Sequence, residues 1–570
     1  MRTVAQTIVE LLKAYQVSHV FGVPGDTSLP LYDALYGARH EIRHVMARDE
    51  RGAAFMADVF ARVSFRPGVC EAPSGAGATY LLPGIAEAQA SSIPLVAFTT
   101  DTSLALDGRN VLTELDQPAT FAPVTKWRAR LTVADRLPDL LRQAFRMATS
   151  GRPGAVQVAV PYDLLKAPSA RDDLYAEAVC RTCPAYRTRP DPQAVAEAAR
   201  YLVSAQQPFI VAGGGVLSSQ AWDELTALAE AITAPVGTSI NGKGAIDENH
   251  PLSVGVVGEN GGRDYANELL AEADVVLFVG FRADSVTTAH WSWPNPVGPV
   301  TVLHLDVDPG EIGRNYPTAV GLVGDARLGL TDLLVAVRAQ IPAGRSGPDE
   351  HRLAEIAARS ENWWAAARLH FRGHSGRVRP HWMIDTLSHI LPEHAIVVAD
   401  AGTGTPLCAA YLRSRAGRQV IIPRGYGGLG YALPGVVGAS LARPDATVVG
   451  LIGDGSFGMA AGDLETITRL QLRVTLVHFN NGCFGWIKTI QHLEYDQRYF
   501  GVDFTPVDYA AIARGFGLRG LRMNDPRDLP DALHEAMDSG QSTLIDVPTI
   551  PEYEELPPVT KWHKQRPHNR

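Results

Sequence analysis

The chain has 570 residues, of which 46% are hydrophobic and 20% are charged, and its 53 glycines form no low-complexity tract. This length predicts about three domains, and the lack of any run of roughly 18 apolar residues argues against a membrane-spanning helix. The net charge of −9 at pH 7 argues against general affinity for nucleic acid.

The N-terminal segment and the cysteines favour a cytoplasmic protein. Residues 1–17 predict an amphipathic helix that contains Glu10 and Lys13, unlike the uninterrupted apolar stretch of a signal peptide. The five cysteines are scattered and odd in number, which is typical of reduced thiols. Cys180 and Cys183 have the spacing of half a zinc site, but no second pair completes it.

Two strand-to-helix junctions near the N-terminus each carry an acidic residue. Residues 20–26 (VFGVPGD) predict a strand and a turn that ends at Asp26. Residues 42–50 (IRHVMARDE) predict a strand that leads into a helix at Glu50. An acidic residue at a helix start caps the helix and complements its dipole, so a structural role explains both residues when each is taken alone.

Two polar, proline-containing segments have the composition of linkers, at residues 181–193 and 341–351. They predict an N-terminal domain, a central Rossmann-like domain, a C-terminal domain and a short tail, at residues 1–180, 190–340, 352–555 and 556–570. Strands alternate with helices in all three domains, which predicts the α/β class with doubly wound parallel sheets.

Two glycine-rich turns follow in the C-terminal domain. Residues 396–399 (IVVA) predict a strand, and Gly402, Thr403 and Gly404 come after it at the start of a helix. A turn of this kind offers backbone N–H groups to a phosphate. The second turn, residues 424–434 (RGYGGLGYALP), has Leu429 between its glycines.

The next segment predicts a βαβ unit. Residues 446–452 and 473–479 predict buried strands, and residues 459–471 have helical apolar spacing with Gly462 tolerated inside the helix. The crossover between parallel strands is expected to be right-handed, so both strands end at the same edge of the sheet. Open α/β sheets bind ligands at that edge.

The residues at these strand ends predict a magnesium site. The first strand ends in GDGS, which contains Asp454, and the second ends in the asparagine pair that includes Asn481. A carboxylate and an amide oxygen are hard ligands suited to Mg²⁺, and a backbone carbonyl near Cys483 would complete the set. The glycines beside Asp454 let a diphosphate approach the backbone. The alternative is that GDGS is an ordinary strand-to-helix turn and the asparagines cap a loop.

GDGS followed by the asparagine pair at this distance resembles the thiamine diphosphate signature of the family of acetohydroxyacid synthases, pyruvate oxidases and 2-oxo-acid decarboxylases. The resemblance continues through most of the first 180 residues, including the motifs at residues 20–35, 73–79 and 123–127. It is closest to acetolactate synthase-like proteins. It implies a pyrimidine-binding domain, a central domain and a diphosphate-binding domain, with thiamine diphosphate and Mg²⁺ as cofactors.

The resemblance also implies a role for each motif. A glutamate in the position of Glu50 bonds to the cofactor's pyrimidine ring nitrogen and favours the imino tautomer of its exocyclic amine, which then takes the thiazolium proton. Asp26 matches an aspartate that handles protons in decarboxylases, and Leu429 matches the residue that wedges the cofactor into a V shape. The implied cofactor contacts are Gly402, Thr403, Gly404, Gly427, Leu429, Gly455 and Ser456, and the implied metal ligands are Asp454, Asn481 and Cys483.

The substrate-pocket positions depart from the family pattern. Thr113 stands where the synthases have an active-site glutamine, Ile490 replaces their tryptophan and Trp486 replaces a methionine. Ile487 stands where decarboxylases have a glutamate. Residues 480–499 nevertheless follow the synthase pattern, which favours a carboligase that decarboxylates a small 2-oxo acid and transfers the acyl unit to a second carbonyl.

Three alternatives to a carboligase stay open: a simple decarboxylase that releases an aldehyde, a flavin-dependent oxidase, and a regulatory homologue without activity. The third would be expected to lose Glu50, Asp454 or Asn481, and all three are present. FAD stays open as a further cofactor, because residues 280–284 (GFRAD) partly match a flavin-contacting segment of the synthases and the match ends after Asp284. The resemblance also implies a homodimer or homotetramer with active sites at the subunit interface, acting on small 2-oxo acids.

Overall fold

The computed structural model describes residues 1–341, 347–371 and 376–565. Within these ranges the chain forms three parallel six-stranded sheets flanked by helices, which confirms the predicted fold class of three doubly wound α/β domains. The domain boundaries stay predictions, and residues 342–346 of the expected linker and 566–570 of the expected tail lie outside the described residues. No helix in the described part is long and apolar enough to cross a membrane.

The first sheet is built from residues near the N-terminus. Its region contains the strands β1 (Arg2–Thr3), β2 (His19–Gly22), β3 (Arg43–Met46), β4 (Gly68–Ala72), β5 (Leu95–Asp101), β6 (Trp127–Arg130), β7 (Ala155–Pro161) and β8 (Pro168–Ser169). The helices are α1 (Val4–Ala14), α2 (Leu29–Gly37), α3 (Glu50–Ser64), α4 (Ala76–Tyr80), α5 (Leu82–Ala90), α6 (Gln117–Phe121), α7 (Leu137–Thr149) and α8 (Tyr162–Lys166). The sheet order is β3-β2-β4-β5-β7-β6, and β5 and β7 are buried throughout because helices cover both faces.

The central sheet repeats this architecture. Its strands are β9 (Pro208–Ala212), β10 (Val236–Thr238), β11 (Ser253–Val256), β12 (Val275–Val279), β13 (Thr301–Asp306) and β14 (Val320–Val323), in the order β11-β10-β9-β12-β13-β14. The helices are α9 (Pro192–Ser204), α10 (Gly214–Ser218), α11 (Trp222–Ile232), α12 (Asp264–Ala271) and α13 (Ala326–Gln340). Strand order reverses beside β9, and ligands of such sheets bind at the switch point.

The third sheet carries the two glycine-rich turns and the predicted metal site. Its strands are β15 (Ile396–Ala399), β16 (Val420–Ile421), β17 (Val448–Gly453), β18 (Val474–Asn480), β19 (Arg519–Arg522) and β20 (Thr543–Pro548), in the order β16-β15-β17-β18-β20-β19. The helices are α14 (Glu350–Phe371), α15 (Pro380–Ile390), α16 (Gly404–Tyr411), α17 (Ala432–Ala442), α18 (Asp454–Ala460), α19 (Asp463–Arg469), α20 (Gly485–Glu494), α21 (Tyr509–Gly515), α22 (Leu529–Asp538) and α23 (Thr560–Gln565). The helix expected at residues 459–471 is instead two helices, which begin at Asp454 and Asp463.

The first and third sheets share one hydrophobic core through α3 and α17. The two helices approach closely because α17 has glycine at the contact: a Cβ on Gly438 would lie 2.2 Å from the carbonyl oxygen of Met56. The neighbouring α5 also approaches α3 through a glycine, because a Cβ on Gly84 would lie 2.4 Å from the Cβ of Ala54. The first domain is therefore packed against the third domain of its own chain.

A buried charge cluster joins the central and third domains. Glu248 accepts hydrogen bonds from Lys243 and from Arg263, whose Nη2 lies 2.7 Å from Glu248 Oε2. Lys243 and Arg263 also donate to the carbonyl oxygens of Ala409 and Ala410 in α16, at 3.2 and 3.1 Å. All three charged side chains are almost fully buried, so each depends on the others for compensation.

Replacing Glu248 with alanine is expected to lower the free energy of unfolding by about 3–5 kcal/mol, because two buried cations lose their shared carboxylate. The change is measured as a lower urea midpoint of the tryptophan fluorescence transition, since Trp363 and Trp364 lie against Arg263. Glu393→Ala is the control, because Glu393 forms an exposed ion pair with Arg415 and should change the midpoint little. Equal midpoints for both variants would contradict the role given to the cluster.

Candidate active site

A groove of about 1020 Å³ lies at the carboxyl ends of β15, β17 and β18. Both glycine-rich turns and the GDGS segment contribute to its wall, together with the start of α20. The predicted site residues that line it are Gly402, Thr403, Gly404, Gly427, Leu429, Asp454, Gly455, Ser456, Asn481, Cys483, Trp486 and Ile487. The crossover geometry of the sheet therefore brings together segments that are far apart in sequence.

The two carboxylate oxygens of Asp454 differ in their hydrogen bonding. Its Oδ2 accepts hydrogen bonds from the backbone N–H groups of Asn481 and Gly482, both at 2.9 Å. Its Oδ1 is buried and makes no hydrogen bond within the described part of the chain, and His478 Nε2 lies 3.6 Å from it. A buried carboxylate oxygen without a donor fits a cation, because an unpaired buried charge is otherwise costly.

Asn481 is oriented by its neighbours. Its Nδ2 donates to Glu552 Oε2 at 3.0 Å, and its Oδ1 accepts from the backbone N–H of Cys483 at 3.2 Å. Burial raises the pKa of the Cys483 thiol to about 12, so the thiol is neutral at pH 7 and a thiolate ligand is disfavoured. Among the described residues, no group of three His, Cys, Asp or Glu side chains could hold a metal ion. One carboxylate with amide and carbonyl oxygens is the donor set that the groove offers.

The backbone around the groove leaves room for a diphosphate. Gly402 has φ of +99°, a conformation that favours glycine, and a Cβ there would have no atom within 4 Å. Gly453 likewise faces open space. Asp400 stabilises the second glycine-rich turn, residues 424–434, because its buried Oδ1 accepts the N–H groups of Tyr431 at 2.6 Å and Ala432 at 3.1 Å. Burial raises the pKa of Asp400 to about 7.

The predicted pocket residues of α20 separate into two groups. Trp486 and Ile487 line the groove, and Ile487 is 48% exposed. Ile490 lies one turn further along and packs with Trp486 against the C-terminal residues Leu556, Val559 and Trp562. The Trp486 and Trp562 rings are 4.4 Å apart, so the C-terminal segment supports one wall of the groove.

Glu50, Asp26 and Thr113 lie at a different place, the carboxyl edge of the first sheet. Glu50 begins α3 and is half-buried, and burial raises the pKa of its carboxyl group. A Cβ on Gly77 would lie 2.9 Å from Glu50 Oε1, and a Cβ on Gly75 would lie 2.6 Å from Thr113. Asp26 is exposed, in the turn after β2.

A hydroxyl network holds this edge together. Ser74 Oγ lies 2.7 Å from Thr113 Oγ1, and Thr27 Oγ1 donates to Ser74 Oγ at 3.2 Å and lies 2.7 Å from Thr100 Oγ1. The network thus joins Thr113 to Thr27, the residue that follows Asp26.

The groove is lined by residues of the third domain, whereas Glu50 belongs to the first domain. Among the described residues, no side chain of the first sheet or its helices lines the groove of the third sheet. The start of α3 contacts the two helices that follow Gly453: Arg51 Nη2 donates to the Met459 carbonyl of α18 at 2.6 Å, and the Arg48 N–H donates to Asp463 of α19 at 3.1 Å. The groove and the first-sheet edge that carries Glu50 are referred to as the two candidate half-sites.

Comparison with known proteins identifies a domain family for each of the three parts of the chain. Three models of thiamine pyrophosphate enzymes match the chain: the N-terminal TPP binding domain at residues 2–120, the central domain at 195–333 and the C-terminal TPP binding domain at 400–547. The chain is 33% identical to a probable acetolactate synthase large subunit of Methanocaldococcus jannaschii, over 97% of this chain and 93% of that one. It is 32% identical to an acetolactate synthase of Mycobacterium bovis, over 94% and 86%, and 34% identical to an acetolactate synthase large subunit of Parasynechococcus marenigrum, over 95% and 87%.

The chain belongs to the thiamine pyrophosphate enzyme family. Its acetolactate synthase-like character, its enzymatic nature and thiamine diphosphate as its cofactor are confirmed as predicted. The roles of the individual site residues stay predictions.

The structure adds three acidic residues that the sequence analysis did not single out as functional. Asp400 directly follows the buried strand β15, so its position at the carboxyl edge of the sheet could have been predicted from the sequence. Glu87 lies within α5 and Glu552 follows β20, and no local pattern marks either residue. Both are almost fully buried, and each contacts a segment of the thiamine diphosphate groove.

Replacing Glu552 with alanine is expected to weaken Mg²⁺ binding about 10- to 100-fold, because Asn481 loses the acceptor that fixes its amide orientation. Glu552→Gln keeps one acceptor oxygen and should recover most of the affinity. The measurement is the Mg²⁺ concentration that half-saturates quenching of protein fluorescence by thiamine diphosphate. Glu554→Ala, at an exposed ion pair with Arg377, is the control, and an equal shift for Glu554→Ala would reject the orienting role of Glu552.

Proposed function

We propose that this thiamine diphosphate enzyme is an acetolactate synthase-like carboligase that requires Mg²⁺. It decarboxylates a small 2-oxo acid and transfers the acyl unit to a second carbonyl compound. The observation that carries the proposal is the similarity to acetolactate synthase large subunits over nearly the whole chain. The groove supports it with a buried Asp454 oxygen suited to a cation.

The residues of the groove and of the first sheet have different roles in the proposed reaction. When bound, thiamine diphosphate supplies a carbon nucleophile for the 2-oxo carbonyl and a ring that accepts the electrons released with carbon dioxide. Asp454 and Asn481 would hold Mg²⁺ and, through it, the diphosphate. The half-buried Glu50 carboxyl, with its raised pKa, is suited to share a proton with a ring nitrogen. Trp486 and Ile487 present apolar surface to the substrate and keep water from the reacting atoms.

The active site is proposed to form between two copies of the chain. The lining of the groove does not include Glu50 of the same chain, which supports a second copy as the source of the first-sheet edge at that groove. Large apolar side chains are exposed near both half-sites: Leu112 is 88% exposed beside Thr113, and Tyr426 is 67% exposed in the glycine-rich turn. A homodimer, alone or paired into a homotetramer, covers such surface.

Asp26 favours a second candidate function, decarboxylation with release of an aldehyde. It is exposed at the same edge as Glu50, where a carboxyl group can deliver a proton to the reaction centre. Protonation there competes with attack on a second carbonyl compound. The balance between these two fates determines which product leaves the enzyme.

FAD is the proposed candidate for a further cofactor. A pocket of about 920 Å³ lies between the first and central domains, at the switch point of the central sheet, and Gly213, Gly214 and Gly215 line it. Asp306 lines it as well, at the end of β13, where burial raises the pKa of its carboxyl group to about 6. Flavin absorbance in the purified protein supports FAD, and a colourless protein that gains none when incubated with FAD rejects it.

A stoichiometric assay over a panel of small 2-oxo acids tests the proposed function. Carboligation of two identical molecules consumes two 2-oxo acids for each carbon dioxide released, whereas simple decarboxylation consumes one. We expect the higher ratio, with a 2-hydroxy-3-oxo acid as the product. Equal amounts of carbon dioxide and free aldehyde would establish the decarboxylase instead.

A further inference from the structure

Glu87 is a buried carboxylate of the first domain that contacts the glycine-rich turn of the third. Its Oε1 accepts the backbone N–H of Gly425 at 3.0 Å. Its Oε2 accepts the N–H groups of Tyr426 at 2.7 Å and Gly427 at 3.2 Å. Three consecutive peptide groups of one domain are thus bound by a single side chain of another.

Glu87 is itself held in place from several sides. Ser91 Oγ donates to Glu87 Oε1 at 2.6 Å, and Arg62 Nη2 donates to the same oxygen at 3.1 Å. Arg62 is fixed in turn by Asp58, at 2.8 Å, and Asp58 also accepts from the hydroxyl of Tyr431. Five donors converge on the Glu87 carboxylate, which is therefore held in one orientation.

The contact determines the shape of the turn. Successive N–H groups that converge on one anion form a concave backbone surface. Gly427 is held in the left-handed region at φ of +77°, and a Cβ on Gly425 would lie 2.8 Å from the Ser91 backbone nitrogen. Gly427 and Leu429, on the other side of the turn, line the thiamine diphosphate groove. The hydrogen bonds of residues 425–427 to Glu87 thereby also hold the part of the turn that lines the groove, Gly427 and Leu429.

We propose that Glu87 is a positioning residue that holds residues 425–427 in the shape required by the pyrimidine end of the cofactor. The inference rests on the proposed cofactor groove. It assigns α5 a role distinct from that of α3: α5 supports the groove of its own chain, whereas Glu50 on α3 serves the groove of another copy. The diphosphate end, held at Asp454 and Asn481, lies outside the contact of Glu87.

The test compares two probes that share the diphosphate group. Glu87→Gln is nearly isosteric but loses the charge and one acceptor oxygen. We expect its affinity for thiamine diphosphate, in saturating Mg²⁺, to fall about 10- to 100-fold. Its affinity for Mg²⁺-pyrophosphate, measured by competition with thiamine diphosphate, should stay within about twofold of the wild-type value, because that probe lacks the pyrimidine ring. General loosening of the domain would weaken both probes equally.

Gln89→Ala is the matched control on the same helix. Gln89 accepts the Ala155 N–H at 3.0 Å within the first domain and contacts no residue of the turn, so thiamine diphosphate affinity should be unchanged. If Glu87→Gln does not yield folded protein, Ser91→Ala replaces it, since it removes one donor to Glu87 and should weaken thiamine diphosphate but not pyrophosphate. Parallel loss for both probes, or no loss for either, overturns the inference. Failure of the wild-type protein to bind thiamine diphosphate would instead reject the cofactor groove itself.

Discussion

Glu50→Gln is expected to lower turnover by about 100- to 10,000-fold while Mg²⁺-dependent binding of thiamine diphosphate is largely retained. Glutamine has nearly the same shape but cannot share a proton with the pyrimidine ring. The two quantities are measured as carbon dioxide release from 2-oxo acids and as the dissociation constant of thiamine diphosphate. Full residual turnover would remove Glu50 from the mechanism.

Asp49→Asn is the matched control for this prediction. Asp49 precedes Glu50 and caps α3 by accepting the Arg51 N–H at 2.8 Å, and the pKa of Glu50 is raised mainly by burial, which this substitution leaves in place. Asparagine caps a helix about as well as aspartate, so α3 should begin at the same place. Turnover should stay near the wild-type value. A loss as large as that of Glu50→Gln would mean that the helix start, and not the Glu50 carboxylate, is what matters.

Asp454→Asn is expected to weaken binding of thiamine diphosphate with Mg²⁺ by more than about 100-fold, because the metal loses its charged ligand. The turn at Asn481 and Gly482 also loses the charge on its acceptor, so both parts of the metal site are affected. Titration of the protein with Mg²⁺ at fixed thiamine diphosphate measures the effect.

Asp463→Asn controls for removal of a buried carboxylate from the same region. Asp463 is 2% exposed at the start of α19, accepts from Arg48 and Thr466, and does not line the groove. The Asp463→Asn variant should bind Mg²⁺ and thiamine diphosphate as the wild-type protein does, although its free energy of unfolding is expected to be lower. Normal Mg²⁺ affinity in Asp454→Asn would contradict the metal site.

The sequence was sufficient where chemistry follows from local pattern. Apolar strands that end in GDGS and in the asparagine pair belong to one βαβ unit, so the meeting of Asp454 with Asn481 followed from crossover geometry alone. The helix after GDGS was less predictable. It is interrupted between Ala460 and Asp463, beside a contact with the first domain: a Cβ on Gly462 would lie 3.2 Å from the Cβ of Arg48.

The supporting residues of the groove could not be found from local pattern. Glu87 is separated from Gly425 by 338 residues, and Glu552 from Asn481 by 71. A glutamate within a helix is usually exposed, and Glu87 is buried because Arg62 of α3 and residues 425–427 of the third domain both contact its carboxylate. Ile490 differs in another way: its helix was predicted, but its direction depends on the C-terminal segment that packs on α20.

Mixing two inactive variants tests most directly whether one thiamine diphosphate site is assembled from two chains. Glu50→Gln and Asp454→Asn chains are co-expressed with different tags, and the mixed species is compared with each variant alone. If the half-sites come from different copies, a mixed dimer has one intact site, and an equal random mixture recovers about a quarter of wild-type turnover. Mixed dimers that form but show no more carbon dioxide release than the single variants would contradict the account.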